Sequence, residues 1–200
     1  MLAQHLFKPG KIYSAMFMTR EEFLAHPELC NVLRFVVIRD LRDTVVSLYF
    51  SLKYSHKIES DQIDRTRTEL QRLSVDDGML YLCEKHLKRV AAIQKSWLGV
   101  GEVVLKYEDL LSGDEILLQE LFIERFKMPV SAAAVSRAVR RCRFETVFKR
   151  RLGDTDEKSH GRQGLPGDWK RHFSARVQDR FKEMFGDLLE ETGYESGSSW

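Results

Sequence analysis

The chain has 200 residues, 43% hydrophobic and 31% charged, with a formal charge of +2 at neutral pH. That is enough chain for one domain with a real core and argues against extensive disorder. The near-neutral balance argues against a nucleic-acid binder held by bulk electrostatics, so any anion site must be local. Cys30, Cys83 and Cys142 are far apart and show neither a CxxC nor a zinc spacing. They favour reduced, mostly buried thiols, no metal, and a cytoplasmic setting. No apolar run approaches the ~18 residues of a membrane span, and the opening Met1 to Lys8 is too interrupted for a signal peptide.

In chain order, Ile12 to Met18 can form a strand, and Thr19 with Glu22 caps a short helix that Pro27 closes. Phe35 to Ile38 is a β-branched apolar run that suits a strand buried on both faces. A helix follows from Leu41 to about Tyr54, with Asp40 at the N-cap and Asp43 at N3. Arg39 stands at the strand's carboxyl end and Ser47 lies two turns along the helix on the same side. Free helix amides, a guanidinium and a hydroxyl together suit a phosphate. The alternative is that Arg39 pairs with a local carboxylate.

Ser55 to Ser74 is polar and reads as a mobile loop or an exposed helix. Asp76 or Asp77 opens a longer helix whose stripe is Leu80, Cys83, Leu87, Val90 and Trp97, ended by Gly99 and Gly101. Val103 to Tyr107 is a second buried strand stopping at Glu108-Asp109. Asp114 and Ser131 cap two further helices, separated by Pro129. Lys149 to Gly167 lacks periodicity and reads as a long loop. Ser174 caps the last helix, striped by Val177, Phe181, Met184, Phe185 and Leu188, and Gly193 ends it. The expectation is one α/β domain over residues 1–195, a parallel sheet flanked by helices, with a disordered tail over 196–200. Ligands of such sheets bind beyond the strands' carboxyl ends, where Arg39 and Tyr107 fall.

Four segments in this order resemble one family, the sulfotransferases that use 3'-phosphoadenosine 5'-phosphosulfate. Val37 to Tyr49 resembles the family's 3'-phosphate strand and helix, an arginine at the strand end (Arg39) and a serine eight residues later (Ser47). Lys106 to Leu110 is similar to the YEDL segment, whose tyrosine (Tyr107) lies near the adenine. Cys142 to Glu145 resembles the SFE segment, whose phenylalanine (Phe144) stacks on the base. Arg162 to Lys170 looks like the RKGxxGDWK loop, which closes over the cofactor and returns an arginine, Arg162, to the 3'-phosphate; Gly164 is its first glycine and Gln163 replaces its lysine.

The resemblance implies a P-loop-NTPase-like three-layer fold and transfer of a sulfuryl group to a hydroxyl or amine of a small-molecule or carbohydrate acceptor. It also implies a catalytic histidine upstream of Arg39. His5 is the candidate, 34 residues before Arg39, with Tyr13 an alternative occupant of that position and His26 placed in a surface turn. The family's PKSGTTW-like 5'-phosphosulfate loop has no counterpart in the sequence. A missing first strand is therefore expected, with little turnover by the chain alone and an open sheet edge that invites self-association. A catalytically silent domain binding a 3'-phosphorylated adenine nucleotide or a protein partner is the second reading. A GxxxxGK[ST] kinase-type loop does not occur.

Overall fold

The computed structural model describes residue 8, residues 10–13, 15–29 and 31–197, and residues 199 and 200. Helix α1 (Arg20–Leu24) begins in the expected capping box: Thr19 accepts from the Glu22 amide and Glu22 reaches back to the Thr19 amide. The stretch expected to be a strand before it carries no strand among its described residues. Strand β1 (Val36–Ile38) leads into α2 (Leu41–Phe50), which winds on through a π-helical turn, Ser51–Ser55.

The polar stretch that followed is a helix, α3 (Asp61–Arg72), capped by Ser60 and held by buried Thr66 and Leu70. Helix α4 (Val75–Leu82), capped by Ser74, continues through the π turn Cys83–Leu87 into α5 (Lys88–Ser96). Strand β2 (Val104–Lys106) gives way directly to α6 (Tyr107–Gln119), so Tyr107 starts a helix instead of ending a strand. As expected, a helical segment starts at Asp114: Gly113 is non-helical (φ −136°), so α6 is two helices joined at a kink, and Asp114 Oδ1 accepts the Glu115 amide at 2.8 Å before the second runs into a π turn at Glu120–Arg125. Helix α7 (Ala132–Cys142) starts at Ser131 and α10 (Ala175–Glu191) at Ser174, both as expected from their caps. Between them lie the short α8 (Phe144–Phe148) and α9 (Trp169–His172).

This is a mixed α/β fold whose sheet, among the described residues, has two parallel strands, with Val37 opposite Leu105. Ile38 is buried but Val37 is 45% exposed, so β1 is covered on one face only. The core sits among α2, α4, α5 and α10, around Tyr49, Met79, Leu82, Val177 and Phe181. No helix among the described residues is long and apolar enough to cross a membrane. Cys83 is buried and its thiol is pushed up to about 12 by burial first and by Glu84 second. Cys142, expected among the buried thiols, is exposed.

One glycine decides how closely two core helices approach. A Cβ on Gly78 of α4 would lie 2.6 Å from Tyr49 Cε2 of α2, and Tyr49 is 1% exposed. Alanine there gains about 1 kcal/mol of helix propensity but overpacks the core at about 1–3 kcal/mol. The Gly78→Ala protein is expected to unfold at lower temperature than the parent; an equal or higher Tm would mean that Tyr49 yields without cost.

Trp200, placed in the tail by the sequence reading, packs against the core. Trp200 lies edge-on to Trp169 (centroids 5.5 Å) and beside Phe181, and its backbone oxygen accepts from Gln178 Nε2 at 2.5 Å. A tryptophan among small polar residues looks like a tail in sequence, but here an aromatic shelf receives it.

Candidate functional site

The first turn of α2 organises the site. Asp40 is the N-cap: its Oδ1 accepts the Arg42 amide at 2.8 Å, while its own amide donates to Glu108 Oε1 at 3.1 Å. Glu108 Oε2 accepts from the Tyr194 hydroxyl at 2.6 Å. The ends of β1 and β2 and the segment after α10 are thereby tied together. Burial, and then Glu108, hold the Tyr194 phenol far above its ordinary range, so it stays a donor.

Asp43 does not cap its own helix. Its carboxylate accepts the Gly167 amide at 2.5 Å and the Trp169 amide at 2.9 Å, pinning the loop before α9 onto α2. Burial raises its pKa, against those two amides and the charge of Arg39. Arg42, the neighbouring residue, is sandwiched between Trp169 (4.1 Å) and Trp200 (4.4 Å).

Arg39 extends from the strand end with its guanidinium 5.0 Å from the Tyr107 ring centre, and Gln94 Nε2 holds its carbonyl at 2.9 Å. Its Nε is buried without a hydrogen-bond partner. The carboxylate pairing considered for it from sequence does not occur among the described residues. Arg162 repeats this state. Its guanidinium covers Phe50 at 4.5 Å and pairs with Asp168, yet its Nε is also buried and unpartnered.

Asp168 also receives His172, Nε2 to Oδ2 at 3.2 Å. Burial alone would raise the Asp168 carboxyl, but His172 and Arg162 outweigh it and hold it at about 2. His172 is half-buried, with its ring 5.0 Å from Phe50.

Spacing along α2 shows how these groups meet. Asp43, Ser47 and Phe50 are separated by four and three residues, so they form one stripe of the helix. The loop lies along that stripe, Gly167 and Trp169 at Asp43 and Arg162 at Phe50. The half-buried Ser47 stands between those two anchors. This i, i+4, i+7 spacing is present in the sequence, but that Asp43 receives the loop shows only in the structure.

Phe144, the first residue of α8, packs against the loop. A Cβ on Gly164 would meet its ring at 2.7 Å, and φ there is +75°, so the position needs glycine twice over. Phe144 also lies 4.9 Å from Phe148 and 5.4 Å from the Arg150 guanidinium. The structure thus joins Arg39 with Tyr107, Arg162 with Phe50 on the helix stripe that also carries Ser47, and Phe144 with Gly164. No contact joins Tyr107 to Phe144 among the described residues. His5 lies outside the described residues. Tyr13 is 40% exposed and its hydroxyl accepts the Lys8 amide at 2.7 Å.

Chemically, such an arrangement can act as an anion cradle. The Arg39 and Arg162 guanidiniums, both permanently charged, each keep a buried N–H without an acceptor, and Arg39 directly precedes the N-cap of α2. No curated protein is significantly similar to the chain. The family description "Sulfotransferase domain" matches residues 30–193, which include Arg39, Ser47, Tyr107, Phe144 and Arg162 together with the sheet and the loop, and the chain belongs to the sulfotransferase family.

Proposed function

We propose that the cradle takes the 3'-phosphate of 3'-phosphoadenosine 5'-phosphosulfate, and that the chain serves transfer of its sulfuryl group to a hydroxyl or amine of a small-molecule or carbohydrate acceptor. The supporting observation is the pair of buried, unpartnered Nε atoms on Arg39 and Arg162. A buried donor left unmade costs about 1–3 kcal/mol, and a phosphate has oxygens for both. Arg39 and Arg162 then supply charge-assisted donors, and Ser47 adds a hydroxyl between the loop's two anchors on α2. Tyr107 and Phe144 hold the adenine, and Gly164 lets the loop approach Phe144. The cofactor supplies the activated sulfuryl group. His5 is proposed as the base that takes the acceptor's proton.

The test is a titration with adenosine 3',5'-bisphosphate, adenosine 5'-monophosphate and ATP. The bisphosphate is expected to bind tightest, and Arg39→Ala to weaken it by about tenfold or more, the worth of one charge-assisted hydrogen bond. Equal affinity for the two adenosine phosphates, or tighter binding of ATP, would overturn the proposal.

A further inference from the structure

We infer that Arg150, which lies between the Cys142–Glu145 and Arg162–Lys170 motifs and in neither, is a positioning residue for Arg162 and through it for the 3'-phosphate; the nucleotide part of this rests on the function proposed above. The long loop after α8 is not loose. Lys149 closes α8 in the left-handed conformation, φ +56°, and the next residue, Arg150, lays its side chain across the loop. Its Nη1 donates to the carbonyl oxygens of Asp154 at 2.8 Å and Arg162 at 3.2 Å, and its Nη2 donates to that of Gly161. Its guanidinium lies 5.4 Å from the centre of the Phe144 ring.

The loop is also tied within itself: the Asp154 and Asp156 carboxylates accept the Arg151 amide at 3.2 Å and the Lys158 amide at 3.0 Å, and the Thr155 hydroxyl lies 3.4 Å from Gln163 Oε1. Gly153 donates to the Gln163 carbonyl at 2.9 Å and Asp156 to the Arg162 carbonyl at 3.0 Å, so the Arg162 carbonyl takes both a backbone and a side-chain donor. Below, the loop rests on two rings: a Cβ on Gly161 would run into the Phe148 ring, and one on Gly164 would meet Phe144 at 2.7 Å. Three carbonyl dipoles converge on Arg150, and without the fork they repel one another. A planar guanidinium with five N–H donors can serve three separated acceptors at once, whereas an ammonium is a point charge.

Three of those five donors are spent on main chain, which separates Arg150 from the phosphate-facing arginines. Arg39 and Arg162 each keep a buried Nε without a partner. Arg150 therefore acts on the nucleotide through the backbone of Arg162, fixing where that guanidinium starts.

Amide hydrogen exchange and nucleotide titration on the full chain test this. In Arg150→Ala, exchange at the Gly153 and Asp156 amides is expected to rise by about tenfold or more, the scale of a local opening. Affinity for adenosine 3',5'-bisphosphate is expected to fall by about tenfold, with affinity for adenosine 5'-monophosphate unchanged. Combining Arg150→Ala with Arg162→Ala is expected to give no loss beyond Arg162→Ala alone, as for residues acting through one contact. Arg150→Lys is expected to behave like alanine in exchange. Unchanged exchange, an equal loss for both nucleotides, additive losses, or full rescue by lysine would each overturn the inference. A parent protein that binds no bisphosphate would remove the nucleotide reading, while exchange at Gly153 and Asp156 would still decide whether Arg150 holds the loop.

Discussion

Replacing Arg42 with leucine is expected to cost about 3–5 kcal/mol of folding stability, the price of breaking a buried ion pair from one side. The Arg42 side chain is 3% exposed. Its Nε and Nη2 donate to Asp40, the latter at 2.7 Å, and its Nη1 to Glu195 at 2.5 Å. Burial would lower its pKa, but Asp40 and Glu195 more than reverse that, and it stands above its ordinary value. Leucine supplies apolar volume between Trp169 and Trp200 and strands two carboxylates.

The size of the effect follows from which partner remains. Removing the charge on all three, as Arg42→Leu with Asp40→Asn and Glu195→Gln, is expected to recover part of the loss, because no buried ion is then left alone. Urea unfolding of the single and triple variants measures both. A single-variant loss below about 1 kcal/mol, the range of an exposed pair, would count against this account.

Asp168→Asn is expected to destabilise the protein at neutral pH by about 2 kcal/mol, at 1.36 kcal/mol for each pKa unit, and to do so less and less as the pH falls. The folded carboxyl stands at about 2 against an ordinary 3.8. A depressed carboxyl contributes stability that is fully present above its unfolded value and is lost as the pH falls from there through the folded value. The window is therefore from about 4 down to about 2, and the variant should lack that part of the parent's acid unfolding.

Asp43 works in the opposite sense. Its carboxyl is raised because burial outweighs the opposing pull of its amide donors and Arg39, so protonation just above pH 3.8 favours the folded state. The two anchors of the loop partly cancel, and only the single variant exposes the Asp168 contribution. Parallel acid-unfolding curves for parent and Asp168→Asn would refute the assignment. The exposed Glu84–Lys88 and Arg140–Glu115 pairs, by contrast, contribute little of this kind.

Local chemistry made much of the fold legible. Thr19, Ser131 and Ser174 cap their helices as their spacing implies, and the stripe from Val177 to Leu188 is buried as its period requires. Each of these signals lies within a few residues of the structure it specifies, so the sequence alone carries it. The Arg39–Ser47 spacing and the glycine-rich loop likewise pointed to one family before any geometry was known.

Partnership across the chain was not legible in the same way. Asp43 reads as a helix-capping acid, and only folding brings it to the amide of Gly167, 124 residues away. Trp200 reads as tail until Trp169 and Arg42 are seen beneath it, and Arg150 reads as one more basic residue until three carbonyls converge on it. The sequence by itself determined the capped and striped helices, the strand leading to Arg39 and the family, but not α8, α9 or whether α3 would form. Only the tertiary structure decided which charges face each other, because an ion pair or a carbonyl clamp depends on distances set by the whole packed chain and leaves no periodic trace along it.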